Sequence, residues 1–300
     1  MIERRTVSNR IFDAFNVILL FLIGLICLYP MVHVLFGSFS HPKELLNHTG
    51  PLLRPMGFIT RGYEIVFANP NIWVSYGNTI FYVVVGTAAR MFMTLLGAYV
   101  LAQDSFMLRK PMMIIFVFTM YFSGGLIPDF LLVSKLGMLN TRAAIIIPNL
   151  IATWNMIILR TAFRQVPASL GESARLDGAG DLTVLFRILV PTTKATIAVI
   201  IMYYAVGEWN SWFPAAIYLP GRRDLHPLQL ILREILISHS ASGNVINQSL
   251  EFVDQDAVEG LIEDVVRYCT ICIATVPILC VYPFVQKHFV RGVMMGSLKE

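Results

Sequence analysis

Charge is scarce in this 300-residue chain. Asp, Glu, Lys and Arg make up 14% of it, against about 25% in an ordinary globular domain. With hydrophobic residues at 56%, that scarcity excludes intrinsic disorder, which needs high charge and low hydrophobicity. It also argues against the two soluble domains that length alone suggests at about 150 residues each. No basic stripe is present. The 23 Lys and Arg are scattered thinly among 19 Asp and Glu, for a net charge of +4, so no nucleic-acid partner is expected. Cysteine is nearly missing, and Cys27, Cys269, Cys272 and Cys280 all fall in apolar runs, which argues against an extracellular disulfide framework. Cys269 and Cys272 have C-x-x-C spacing but no His beside them. They read as small residues of a membrane helix rather than as a metal or redox pair. No G-x-x-x-x-G-K-[ST] occurs, so nothing in the sequence cradles a phosphate; no cofactor and no metal are expected in this chain.

What the sequence has in quantity is long uncharged runs. A bilayer core about 30 Å thick takes about 20 mostly apolar residues per spanning helix. Residues 14–42 hold no Asp, Glu, Lys or Arg, which places a first span near 14–36. It is too long for a signal-peptide core and lacks a small-residue cleavage site after it. Further spans are expected near 73–101, 111–133, 143–162, 193–218 and 268–288. Hydrophobicity is continuous rather than alternating, which favours helices over a barrel. The expected fold is therefore an all-α polytopic membrane protein with six transmembrane helices. Residues 1–72 form an N-terminal segment with the first helix and an external loop, and 73–300 form the core.

Six spans put both termini on one side. On that side lie Arg4, Arg5, Arg10, Arg109, Lys110, Arg160, Arg164, Arg175, Arg187, Lys194, Lys287, Arg291 and Lys299. Nine basic residues lie on the other, mostly in longer loops. Such an excess marks the cytoplasmic face, so both termini are expected in the cytoplasm of a multi-pass protein of the cell membrane. Residues 219–267 then form a long external loop rich in acids (Asp224, Glu234, Glu251, Asp254, Asp256, Glu259, Glu263, Asp264). Its segment 227–239 carries Leu228, Ile231, Leu232 and Ile235 at helical spacing, which predicts a short amphipathic helix on the outer face.

The cytoplasmic loop 163–192 is the most distinctive segment. It predicts two short helices with a turn. Ser169 and Glu172 have capping-box spacing, Gly178 suits the left-handed position that ends a helix, and Asp181 can cap the next one. The sequence here resembles the EAA loop of permease subunits in binding-protein-dependent ATP-binding-cassette (ABC) importers, Glu-Ala-Ala, three residues, Gly, nine residues, Ile, one residue, Leu-Pro. Glu172, Ser173, Ala174, Gly178, Ile188, Val190 and Pro191 occupy those positions, with Ser173 replacing Ala and Val190 replacing Leu; Asp177 before the glycine also fits. YFSGGLIPDFLLVSKLGMLNT (121–141), HPLQLILREIL (226–236) and FVRGVMMGSLKE (289–300) resemble carbohydrate permeases of the oligosaccharide and polysaccharide type, related to the second permease of maltose-type systems. Gln103 departs from a common Arg, and Asp129 from a small polar residue.

The resemblance implies a type I ABC importer permease fold. It also implies a second, different permease subunit, two ABC ATPase subunits that bind ATP and Mg, and an extracellular sugar-binding protein that delivers an oligosaccharide. Ser169, Glu172, Ser173, Ala174, Asp177, Gly178, Ile188 and Pro191 are then the residues expected to couple to an ATPase, with Ala174 kept small so that its helix sits deep in the ATPase cleft. Along the membrane, ionisable residues in spans usually face the bundle interior or a wet cavity. Glu208 lies in YYAVGEWNSWF, among Tyr203, Tyr204, Trp209, Asn210 and Trp212. Aromatic faces stack on sugar rings and amides or carboxylates bind their hydroxyls, so this cluster, with Tyr121, Trp154 and Asn155, is a candidate sugar path. The plainer alternative is an interfacial aromatic belt. Arg90 is expected to pair with an acid of the partner permease, the alternative being contact with substrate.

Two other classes fit less well. The G-x-G-D run at 178–181 resembles an intramembrane aspartyl protease motif, but Asp181 lies in a polar loop and its only candidate partner, Asp129, lies near the opposite face. No H-E-x-x-H or G-x-S-x-G occurs. A self-sufficient secondary transporter would carry internal repeats, and none is visible.

Overall fold

A computed structural model of the chain describes residues 7–241 and 265–280. The end of the expected sixth span, the tail 289–300 and the acids Glu251, Asp254, Asp256, Glu259, Glu263 and Asp264 lie outside the described residues. Among those described, structure is helical apart from an isolated antiparallel bridge between Ser40 and Phe58. The described residues form two compact units, one from 7–69, 234–241 and 265–275, the other from 70–233 and 276–280.

In the first unit, α1 (Val7–Ser38) contains the expected first span. Apolar side chains from Ile11 to Leu28 are exposed all round it, the pattern of a helix whose solvent is lipid. α2 (Pro42–Asn47) and α3 (Arg61–Ala68) follow. The end of α1 is tied to α3 by a 2.8 Å hydrogen bond between the Ser38 and Tyr63 hydroxyls. Gly62 lies against Cys269 and Val265, where a Cβ would collide.

The second unit opens with a 33-residue rod, Pro70–Ala102. It comprises α4 (Pro70–Phe81), a π-helical turn Tyr82–Gly86 and α5 (Thr87–Ala102), and it contains the second expected span. The third expected span, 111–133, is not straight. α6 (Arg109–Tyr121) is 13 residues, about 20 Å at 1.5 Å per residue. The chain then bends by 115° into α7 (Leu126–Lys135). The cause is Ser123-Gly124-Gly125, with Gly125 at φ +87°, a conformation cheap only for glycine. The fourth span is also broken. α8 (Ala143–Ile146) and a 3₁₀ turn containing Pro148 meet α9 (Thr153–Gln165) at 50°.

The loop 163–192 supplies α10 (Ala168–Leu176) and a second rod. That rod is built of α11 (Asp181–Thr183), a π segment Val184–Leu189 and α12 (Val190–Thr192). Pro191 lacks an N–H and its ring excludes the carbonyl four residues back, that of Arg187, so the widened π geometry falls where the α-helical ladder cannot close. The rod turns by 89° into α13 (Lys194–Trp209). The expected fifth span, 193–218, therefore stops early. Asn210–Trp212 break it, and α14 (Phe213–Tyr218), with Pro214 in its first turn, runs separately. The expected amphipathic helix is α15 (Leu228–Ala241). It does not merely rest on the surface: Leu228, Leu230, Ile231 and Leu232 are buried, and the Leu228 N–H donates to Thr79 Oγ1 at 2.8 Å. The apolar helix α16 (Val265–Cys280), whose residues 265–275 belong to the first unit, overlaps the start of the expected sixth span.

The main core of this unit joins α5, α9, the loop rod and α13, through Leu95, Ala98, Tyr99, Met156, Leu159, Phe163, Leu185, Ile200 and Tyr204. Lipid is as apolar as these side chains, so close packing holds them together. Gly97 shows how close: a Cβ there would meet Met156 Sδ at 2.7 Å.

Candidate coupling loop and translocation path

α10 is held at its end by backbone bonds that need a glycine. Gly178 has φ +85°. Its N–H donates to the Arg175 carbonyl at 3.0 Å, and the Ala179 N–H donates to the Ala174 carbonyl at 2.9 Å. These two bonds are the Schellman closure of a helix. The helix start differs from the capping box expected. α10 begins directly after Pro167, no side chain caps it, and Ser169 and Glu172 both lie inside the helix. Proline's fixed φ and missing N–H let the helix start there without a Ser cap.

Asp181 does not cap the next helix either. Gly180 holds that position, and the Asp181 carboxylate is engaged elsewhere. It accepts hydrogen bonds from Tyr99 Oη at 2.7 Å and from Arg175 Nη2 at 3.1 Å. Arg175 also donates to Gln103 Oε1 at 3.1 Å, which gives the departure at Gln103 a local reason: an arginine there would face another arginine. The Tyr99 hydroxyl, then the Arg175 guanidinium, hold the Asp181 carboxyl below the usual carboxylate range. The loop is thus tied to α5 by polar bonds and to α5 and α9 by its buried Val184, Leu185 and Leu189. A cavity of about 340 Å³ lies under it, lined by Gln103, Asp104, Arg164, Glu172 and Arg175 among others.

The expected coupling residues divide by exposure. Glu172, Ser173, Asp177 and Gly178 are exposed, as are Ser169 and Pro191. Ala174 and Ile188 are partly buried and pack against the chain's own core. The loop also displays Leu170, Leu182 and Leu176, the last 89% exposed.

In the membrane-embedded half, Glu208 is the surprise. Its side chain is 2% exposed and forms an ion pair with Arg90, itself 13% exposed. Gly86 makes room for it: a Cβ there would already touch the carboxylate at 3.5 Å. One turn away, the hydroxyls of Thr94 and Tyr204 share a 2.6 Å hydrogen bond. Two polar rungs therefore join α5 to α13, and the partner acid of Arg90 lies in this chain rather than in another permease. Trp212 carries Arg233 over its ring at 3.7 Å. Trp209 stands beside Tyr76, with ring centroids 6.3 Å apart, and Tyr76 beside Trp73 at 6.4 Å. Asn210 is exposed, its side chain donating to the Val206 carbonyl. Tyr121 and Trp154 are exposed and Asn155 is buried; no ring contact or hydrogen bond links Tyr121 or Trp154 to the Trp209 group among the described residues.

No protein-family model matches the chain. Individual proteins do. The polygalacturonan/rhamnogalacturonan transport system permease protein YtcP of Bacillus subtilis is 37% identical over 97% of this chain and 99% of its own length. The chain belongs to the permeases of carbohydrate ABC transporters. The diacetylchitobiose uptake system permease protein NgcG of Streptomyces coelicolor is 26% identical over 97% of this chain and 91% of its own. Among solved structures, a bacterial ABC transporter involved in the import of the acidic polysaccharide alginate matches with a TM-score of 0.84. It is 31% identical and covers 95% of this chain and 98% of its own.

This permease is accordingly an integral membrane protein and a transport subunit. Sequence reasoning missed several of the residues that shape its site. The Tyr99–Asp181–Arg175 contacts join positions 82 and 76 residues apart in sequence, which no local pattern reveals. The Arg90–Glu208 pair had a signal: two opposite charges in otherwise uncharged spans of one chain. Leu170, Leu176 and Leu182 had one too, as apolar residues in a polar loop.

Proposed function

We propose that this permease is one of two different permease subunits in an importer driven by two ATPase subunits. Its loop 163–192 fits an ATPase, and an external binding protein hands over an oligosaccharide. Both termini are cytoplasmic, and ATP and Mg are bound on the partner ATPases. The observation that carries this reading is the Gly178-closed helix α10, fixed to α5 through Arg175 and carrying the exposed Leu176. A rigid helix with exposed apolar side chains can transmit force to the spans it is fastened to. On the path, Trp209 and Asn210 meet the sugar, while Glu208 acts through Arg90 as a positioning residue. The test is to express Gly178→Val with the partner subunits and follow membrane insertion and ATPase co-purification together. Normal insertion with lost ATPase binding supports the docking role; normal binding with coupled transport refutes it.

A further inference from the structure

A cluster of cations at the α5–α6 turn is left out of this scheme. Arg109 and Lys110 open α6, Arg160 and Arg164 stand on the last two turns of α9, and Asp104 lies in the turn between α5 and α6. Arg109 is hydrogen-bonded to Asp104, Arg164 reaches the same carboxylate oxygen at 3.6 Å, and Arg160 donates to the Leu101 carbonyl at 2.9 Å. The charges of Arg109 and Arg164 both act on Arg160. Lys110 has no ion-pair or hydrogen-bond partner among the described residues. Three cations, Arg109, Arg164 and Arg160, thus act on one carboxylate, and Lys110 follows Arg109 in the first turn of α6.

The helices sharpen the imbalance. Arg164 complements the negative C-terminal end of α9, but Arg109 and Lys110 sit at the positive N-terminal end of α6, where cations are unfavourable and an anion is favoured. No side chain caps that end. Beside the cations, Met107 is 90% exposed and Leu108 also points out. Basic groups next to exposed apolar side chains, where apolar helices end, match a molecule that is anionic at its head and apolar behind it.

We infer that this cluster binds the headgroup phosphate of an anionic phospholipid. The leaflet is the cytoplasmic one, which rests on the orientation proposed above. Phosphate oxygens accept from Lys110 and from the free N–H groups of Arg164 and Arg109, and the acyl chains run along Met107 and Leu108.

The test uses the full chain, purified with its partner subunits into nanodiscs of phosphatidylcholine with increasing phosphatidylglycerol. Retained phosphatidylglycerol is counted by native mass spectrometry, a readout independent of transport. Lys110→Gln, an exposed position with no internal partner, is expected to weaken retention about fivefold, the usual effect of one basic group at a membrane surface; Lys110→Gln with Arg164→Gln weakens it further. Equal retention by the double variant and the parent overturns the site. Displacement of phosphatidylglycerol by millimolar inorganic phosphate overturns the lipid as its occupant. Labelling of Ser105→Cys by an impermeant thiol reagent from the inside supports the leaflet. Labelling from the outside overturns the leaflet and the proposed orientation, while the lipid count still judges the site.

Discussion

The Arg90–Glu208 pair sets up a quantitative contest between a structural and a substrate-binding role. With the two side chains 13% and 2% exposed, little solvent screens them, so the value of about 0–1 kcal/mol for surface pairs does not apply. Glu208→Gln keeps the shape and removes the counter-charge. Arg90 is then a lone cation in a span, which costs about 2.5–3.5 kcal/mol on insertion scales and about 3–5 kcal/mol by analogy with broken buried pairs. Arg90→Met alone strands the carboxylate and costs a similar amount. Arg90→Met with Glu208→Met removes both charges and leaves an apolar contact between α5 and α13, which is often neutral or better. With each single loss at about 3 kcal/mol and the double loss near zero, the expected coupling is about 6 kcal/mol, roughly four orders of magnitude in the folded-to-unfolded ratio. The assay is a double-mutant cycle of Arg90→Met, Glu208→Met (which strands Arg90 as Glu208→Gln does) and their combination, on the purified complex in lipid, reading thermal unfolding beside sugar-stimulated ATP hydrolysis. Additive losses in the double variant refute the pairing. A Glu208→Gln protein of parental stability that no longer transports would return Glu208 to the sugar path.

Gly178→Val forces a β-branched residue to φ +85°, which costs about 1–2 kcal/mol or more, and ATPase co-purification should fall while membrane insertion holds. Trp209→Ala should lower uptake with assembly and basal ATP hydrolysis intact, a buried aromatic contact being worth about 1 kcal/mol; unchanged uptake over the sugars tested would assign the ring to an interfacial belt. The Asp181 carboxyl sits below its ordinary range, so its contribution is present above that range and is lost as pH falls through the depressed value. Coupled ATP hydrolysis should therefore show no Asp181-dependent step between about pH 5 and 8, where the carboxyl stays ionised; a step in that window that vanishes in Asp181→Asn would contradict this. Gly97→Val should push α5 off Met156 and lower thermal stability by about 1–3 kcal/mol, and an unchanged melting temperature would show that Met156 yields.

Positions of apolar helices were legible in the sequence because lipid sets a length and excludes charge over it, a rule that acts on consecutive residues. The same rule says nothing about bends. The 115° turn after Tyr121 depends on Gly125 taking φ +87°, and a glycine pair inside an apolar run reads equally well as a straight helix with small residues. The break at Asn210–Trp212 was hidden by aromatic residues whose hydrophobicity carried the span on to 218. In the loop, the glycine was readable because φ > 0 is a property of one residue. The two side-chain caps were not, because Ser169, Glu172 and Asp181 each have alternatives that only tertiary neighbours decide. Asp181 shows the competition: a helix cap satisfies one backbone N–H, whereas Tyr99 and Arg175 give the carboxylate two side-chain donors, one of them charged, and charge-assisted bonds are the stronger kind.

Those contacts also bear on how motion of the loop could reach the path. α5 is fastened at both levels, near its end by Tyr99 to the loop rod and two and a half turns earlier by Arg90 to Glu208, whose neighbour is Trp209. Between the two, Thr94 ties to Tyr204, and Gly97 lets α9 approach closely. Every tie is a short polar bond or a close-packed contact, and neither stretches much before it breaks. A displacement imposed on α10 is therefore carried as a rigid-body movement of α5 with α13, rather than absorbed within the bundle. The bend at Gly125 lies outside this fastened block, and it is a place where the chain can change direction without breaking it.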